Sequence, residues 1–452
     1  MSAPTIDLSP LREAGCILLS GDAGYEAACT PWNLAFPQRP AAVAVPRSVD
    51  DVVAAVVAAD RVGMRIAPQS TGHAASAIAA SVGDDTLLMR LHELTGVTVD
   101  VPAQTARVLG GTVWRDVVEA VAPHGFTAVH GSAGDVAVAG YVLGGGLSFY
   151  GRQHGLAASG VRAFDVVTAS GRLVRASAHE HPDLFWALRG GGGNFGVVVA
   201  IELELLPIAD VVAGMLLWDL DRAPEVLRAW NEWCATAPDS ATTSLRMMRF
   251  PPIPELPPFL SGRRLIVVDG ALLVDDEDAD ALLAPLRAVT PELDTFARIP
   301  AVGLLEVHMD PPQPSPAVSE HALLGELDDA AVDALLGAAG PAADEAPMIV
   351  EVRQLGGALA EPQDGALPGL DAGFTVYAVA VTPGPEAMES GRRSTAAVVD
   401  AVRPWAVDTV FANFADRTRP APELFDAEVC ARLASVRDVY DPRRRMLAAH
   451  SV

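Results

Sequence analysis

Lysine is absent from the 452 residues, so all 32 basic residues are arginine. That absence excludes a Schiff base to pyridoxal phosphate, a phosphate loop built on lysine, and a lysine general base. Basic charge is scarce as well. Against 57 acidic residues it leaves a formal net charge of −25, the wrong sign for phosphate backbones or anionic membrane surfaces. Neither nucleic acid nor a membrane is an expected partner. The four cysteines, Cys16, Cys29, Cys234 and Cys430, are scattered and form no CxxC pair, so neither a zinc site nor a disulfide framework is expected. Long apolar runs are missing too: the longest, from Val197 to Trp218, is interrupted by Glu202, Glu204 and Asp210, which predicts no membrane span. The first residues, MSAPTIDLSPLREAG, lack the basic region of a secretory signal, and a cytoplasmic protein is expected. Aromatic residues make up only 6%, which with the acidic surface favours a small or medium metabolite over a polymer as substrate.

What is present is a chain that is 50% hydrophobic and 20% charged, long enough for a large core and incompatible with intrinsic disorder. Helical and strand patterns mix in an α+β layout, without regular βαβ alternation. Ser48 and Asp51 predict a capped start to a helix that ends near Gly63, with a short strand at Met64 to Ala67. VTVDVPAQTARVLG reads as a hairpin, followed by a helix capped by Thr112. FDVVTASGRLVRAS reads as a second hairpin turning at Ser170 and Gly171, and HPDLFWALRG as a short helix before the strand VVVAIELELLP. Beyond Pro207 longer strands such as RRLIVVDGALLVD and MIVEVRQLGG alternate with the helical DEDADALLAPLRAVT and DDAAVDALLGAAG. The proline-rich PPIPELPPF and DPPQPSPAV read as surface loops. The tail PELFDAEVCARLASVRDVYDPRRRML reads as an amphipathic helix ending before Asp441.

Three segments carry chemistry. Pro68 to Ser76 follows a strand with small residues whose main-chain N–H groups converge on an anion, and Gly72 suits the positive φ that such a nest requires. His73 then sits beside the anionic ligand. From His130 to Leu156 the glycines Gly140, Gly144, Gly145 and Gly146 permit close approach of a ligand. In ALRGGGGNFGVVVAIELEL, Gly191, Gly193 and Gly196 satisfy GxGxxG, but a helix precedes and a strand follows, the reverse of the dinucleotide fingerprint. In MIVEVRQLGG, Val350 and Val352 face one way and Glu351 and Arg353 the other.

Together these segments resemble the flavin-binding half of the vanillyl-alcohol oxidase superfamily, in particular the berberine-bridge-enzyme-like FAD oxidases. The points of resemblance are the Gly72–His73 pair, VAVAGYVLGGG followed by Arg152 and Gly155, LFWALRGGGGNFGVV, and the closing YDPRRRM. The resemblance implies a two-domain fold of the PCMH/VAO type: an FAD-binding domain at 1–207, a substrate domain with an antiparallel sheet at 208–404, and a C-terminal segment at 405–452 that returns to the first domain. It implies FAD as cofactor, with pyrophosphate on the first loop and a covalent bond between His73 and the 8α carbon of the ring. The flavin contacts it implies are Gln69, Ser70, Thr71, Gly72, His73, Ser76, Gly131, Ser132, Val136, Gly140, Gly144, Gly145, Gly146, Gly196, Val198 and Asn413. No metal is implied. Ala133 stands where doubly linked members carry cysteine, so the implied arrangement is similar to singly histidyl-linked bacterial members such as the hydroxynicotine oxidases.

The implied reaction removes a hydride from a C–H bond next to O or N and passes the electrons to molecular oxygen, giving peroxide. Val136 matches a position where a small side chain leaves oxygen a path to the ring. A dehydrogenase of the same fold, and a flavin-binding protein without turnover, remain alternatives. Candidate catalytic residues are Tyr141, Glu351, Arg353 and Tyr377. Glu351 near an apolar flavin is expected to have a raised pKa. Relatives carry a YxNY segment that can supply the base; here it is Phe411, Ala412, Asn413 and Phe414, so the phenolate is missing and the proton acceptor must lie elsewhere.

Overall fold

A computed structural model describes residues 7–254, 256 and 260–452. Its strands fall into three sheets in chain order. The first holds β1 (Ile17–Leu19), β2 (Ala42–Ala44), β3 (Arg65–Gln69) and β4 (Thr86–Arg90), ordered β1-β2-β4-β3, with β4 parallel to both neighbours. The second holds β5 (Val97–Asp100), β6 (Thr105–Leu109), β7 (Val161–Thr168), β8 (Leu173–Ser177) and β9 (Gly196–Glu204), ordered β5-β6-β9-β7-β8 and antiparallel throughout. The third is built from β10 (Asp210–Asp219), β11 (Ala241–Arg249), β12 (Arg264–Leu272), β13 (Leu293–Asp294), β14 (Ala297–Pro300), β15 (Ala317–Leu324), β16 (Ile349–Gln354) and β17 (Phe374–Val381). Its order is β13-β10-β12-β11-β16-β17-β15, with β14 on β10.

Local sequence accounts for most of these elements. The helix Val49–Val62 starts at a capping box, in which the Ser48 side chain accepts from the Asp51 amide and Asp51 returns a bond, and it stops at Gly63 with φ 77°, a conformation that costs a residue without Cβ little. Both expected hairpins form. Thr112, however, is not a cap. Val113 takes that position with no side-chain bond, because the Thr112 hydroxyl is engaged with the amide and carbonyl of Gly96. PPIPELPPF lies partly outside the described residues. The tail helix forms at Ala427–Tyr440.

The first two sheets share a core in which Val167, Val197 and Val199 of β7 and β9 meet Val52, Val56 and Met446. Helices Trp114–Val121, Val138–Leu143 and Pro182–Leu188 cover the far side of the second sheet. Four helices, Ala223–Cys234, Asp276–Arg287, Asp329–Ala339 and Pro385–Val402, cover one face of the third sheet over Leu245, Ile266, Val350, Val352 and Val376. By period-2 alternation the other face carries the intervening side chains; these are apolar at Met215, Leu217, Met248, Leu265 and Val267 and polar or charged at Ser244, Arg246, Asp269, Glu351 and Arg353.

Candidate active site

Sheet register assembles the polar face. Arg246 pairs with Glu351, Glu351 with Tyr377, and Tyr377 with His321, so four side chains from β11, β16, β17 and β15 form one transverse row. The adjacent row runs Asp269, Ser244, Arg353, Thr375. Arg246, Asp269, Glu351, Arg353 and His321 are all buried. Buried charges need partners, and here they have them. Arg353 donates to Glu351 Oε1 at 2.8 Å. Arg246 donates to Asp269 Oδ2 at 2.5 Å and to His308 O at 2.7 Å. His308 Nδ1 lies 2.9 Å from Asp269 Oδ2, and its Nε2 lies 3.9 Å from both Glu351 and Asp310. Ser132, from the second glycine segment, donates to Asp310 at 2.8 Å and so ties the polar face to that segment.

The electrostatics correct one expectation. Burial works to raise the Glu351 carboxyl, but Arg353 and His308 outweigh it and hold Glu351 below the usual carboxylate range; it is an anion, not a poised acid. Asp269 is likewise held well below its ordinary value, with Arg246 and His308 overcoming complete burial. Burial pushes the phenols of Tyr377 and Tyr141 up, so both are neutral hydroxyls at physiological pH.

Opposite this face stand aromatic rings. Phe414 stacks on Tyr377, centroids 4.7 Å apart, Arg353 lies 5.3 Å over Phe149, and Phe149 meets His308 edge-on. Behind them is a cluster in which Trp114 meets His130 and Tyr141, and His130 meets Tyr150. His130 Nδ1 donates to Gly131 O at 2.7 Å, which leaves Nε2 a bare acceptor; burial holds this imidazole neutral, its pKa down to about 4. Among the described residues, His130 Nε2, Trp114 Nε1 and Tyr141 Oη are buried without a partner in the protein. Buried polar atoms ordinarily have partners, so three in this cluster suit a polar ligand.

The first loop suits an anion. Gly72 has φ 90°, and a Cβ there would lie 2.8 Å from Pro31 Cβ. The carbonyls of Thr71 and Gly72 accept from Trp32, Asn33 and Ala75, whereas the amides of Thr71, Gly72 and His73 have no acceptor among the described residues, the pattern of an anion nest. Ser70 donates to Gly110 O at 2.8 Å, and Gln69 pairs head to head with Gln38. Asn413 spans from the C-terminal segment to the glycine segment, accepting from the Gly146 amide at 2.9 Å and donating to Tyr141 O at 3.2 Å. Val136 is partly buried against the second-sheet core, and its carbonyl accepts from the Trp114 amide. Gly140 lies on the helix Val138–Leu143 with open space where a Cβ would be. Gly196 and Val198 are interior residues of β9, Gly196 against Val167 O and Val198 in the second-sheet core.

Residues 40–177 match the family described as FAD binding domain. This chain carries an FAD-binding domain. Among curated proteins, (R)-6-hydroxynicotine oxidase of Paenarthrobacter nicotinovorans is 34% identical over 211 residues, 46% of each chain. Xylooligosaccharide oxidase of Thermothelomyces thermophilus is 37% identical over 211 residues, 45% of this chain and 42% of that one. The matched stretch thus spans about half the length of these relatives or less. In three dimensions the likeness is nearly complete. Wild-type BBE-like 1 of Physcomitrella patens superposes with a TM-score of 0.85 over 99% of both chains at 20% identity. The 6-hydroxy-D-nicotine oxidase of Arthrobacter nicotinovorans gives 0.79 over 95% of both at 23%. The chain therefore shares the fold of these structures. The unpaired amides, unpartnered polar atoms and tight glycines fit FAD.

Sequence reasoning missed Arg246, Asp269, His308 and Asp310, which reach the site from separate strands and loops. It also missed Asp416, whose Oδ2 accepts from the Ser319 amide at 2.8 Å. Burial pushes this carboxyl up to about 6. A cavity of about 410 Å³ lies elsewhere, beside Gln153, His154, Asp210 and Arg298. The cysteines are free, the described residues hold no cluster of metal-ligating side chains, and no described helix is long and apolar enough to cross a membrane.

Proposed function

We propose that the protein is an FAD-dependent oxidase that removes a hydride from a C–H bond next to O or N of a small or medium metabolite and passes the electrons to molecular oxygen as H2O2. We propose also the division into 1–207, 208–404 and 405–452. The observation that carries the reading is the buried polar row Arg246–Glu351–Tyr377–His321 set opposite the glycine segment and its unpartnered polar atoms. FAD, when bound, supplies the two-electron acceptor. The amides of Thr71 to His73 would hold its pyrophosphate, and His73 would carry the covalent link to FAD. Tyr141 and His130 would offer it polar atoms, and Asn413 holds the glycine segment in place. Glu351, Arg353 and Tyr377 orient a polar substrate, and Glu351, being anionic, accepts a hydrogen bond. The relatives named as a hydroxynicotine oxidase and a xylooligosaccharide oxidase support an amine or alcohol carbon as the reacting centre.

The test has two arms. Purified protein should be yellow, and the colour should stay with the polypeptide after acid precipitation; in His73→Ala the FAD should bind but leave in acid. Anaerobic substrates of the amine and alcohol classes should then bleach the flavin, and air should restore it with one peroxide per turnover. Sluggish reoxidation in air with rapid reoxidation by a quinone would establish a dehydrogenase instead.

A further inference from the structure

The imidazole of His73 is held on three sides. It stacks on the Trp32 indole, centroids 4.3 Å apart and planes 20° from parallel. Thr71 Oγ1 lies 2.8 Å from Nδ1, and Asp135 Oδ2 lies 3.7 Å from Nε2. The same Asp135 oxygen accepts from Trp32 Nε1 at 2.6 Å, so one carboxylate joins the ring and its stacking partner into a unit. Trp32 is itself anchored on the first loop, its amide donating to Thr71 O at 3.0 Å. Burial works to raise the Asp135 carboxyl, but its contacts with His73 and Trp32 prevail and hold it below the usual range; it is a carboxylate at neutral pH.

A carboxylate beside Nε2 favours the neutral tautomer with its proton on that nitrogen. The lone pair then sits on Nδ1, which makes Nδ1 the nucleophile; the rotatable Thr71 hydroxyl marks its direction. We propose that Asp135, acting with Trp32, is the positioning residue that prepares His73 for bonding to the flavin. The inference rests on the reading above that His73 carries the cofactor. In the net reaction one imidazole N–H and one C–H of the 8α methyl group are replaced by an N–C bond. The two hydrogens, with two electrons, leave to molecular oxygen as one H2O2.

The test uses full-length chain produced under riboflavin limitation and then given FAD, with total bound and acid-stable flavin followed in time. Asp135→Asn should bind FAD in wild-type amount but form acid-stable flavin more slowly, by on the order of tenfold to a hundredfold, as for other carboxylates that orient histidine. Asp135→Glu should restore part of the rate, and Trp32→Phe, which keeps the stack and loses the N–H, should fall between. Attachment at the wild-type rate in Asp135→Asn, or a parallel loss of total FAD, would overturn the proposal. Acid-stable flavin in His73→Ala, or none in the wild type, would overturn instead the assignment of His73 on which it rests.

Discussion

Asp269 has no exposed surface yet carries a negative charge, and it does so because Arg246, His308 and Ser244 all bond to it. Removing one partner of such a pair leaves an uncompensated buried ion. Arg246→Met should therefore cost about 3–5 kcal/mol in a urea unfolding titration, and Arg246→Met with Asp269→Leu should cost less than the first change alone. Asp416 shows the opposite sign. Its folded pKa of about 6 exceeds the ordinary value of 3.8, so folding favours the protonated form. The stability it contributes is complete below pH 4 and is lost as pH rises through about 6. Asp416→Asn keeps an acceptor for the Ser319 amide and has no charge to bury. It should match wild type at pH 3 and exceed it at pH 8 by on the order of 3 kcal/mol. Equal pH dependence in the two proteins would remove Asp416 from its buried setting.

At the scale of elements, the helix Val138–Leu143 and the loop after it separate two kinds of glycine. Gly146 has φ 81°, and a Cβ there would lie 2.4 Å from the Tyr141 ring and 2.7 Å from Ala157 Cβ. Gly140 sits on the helix in open space. Gly146→Ala should unfold at lower denaturant and hold less FAD, whereas Gly140→Ala should gain about 0.5–1 kcal/mol from the lower chain entropy of the unfolded state. The same contrast shows what sequence reveals. Hairpins, the Ser48 capping box and the Val350/Val352 alternation are local patterns of period two or of fixed offset, and each is legible. So is the nest at Gly72, since only a few residues prefer its backbone. The charged row is half legible: Glu351 and Arg353 stand two apart on one strand, but Arg246 joins them only through the β11–β16 register and Asp269 only through β12. Asp135 and Trp32 are 103 residues apart, a separation that no local pattern bridges. Thr112 has the look of a cap in sequence, but its hydroxyl prefers the Gly96 main chain, a tertiary bond.

For the whole molecule, the C-terminal segment reaches the first sheet, the third sheet and the glycine segment. Phe411 donates its amide to His321 Nε2 on the third sheet, Asn413 holds the glycine segment, and Arg445 to Leu447 lay a further extended strand on the free edge of β3, with the Ile66 amide and carbonyl both bonded at 2.8 Å. That edge strand depends on Asp441, a fully buried side chain whose two oxygens accept from the amides of Arg445 at 2.7 Å and Met446 at 2.9 Å. Charge-assisted bonds to main-chain amides are among the stronger ones, at about 1.5–3 kcal/mol each. Asp441→Ala removes both, and the strand it supports closes the side of the sheet from which the His73 loop emerges. Hydrogen exchange should then quicken first at the amides of Ile66 and Leu447, with slower amides of the third sheet unaffected at low denaturant, because the loss is an edge opening rather than global unfolding. FAD should bind less tightly in proportion to that opening. Uniform acceleration of exchange across all three sheets would mean instead that the C-terminal strand and the distant sheet unfold as one unit, with Asp441 supporting the stability of the whole chain.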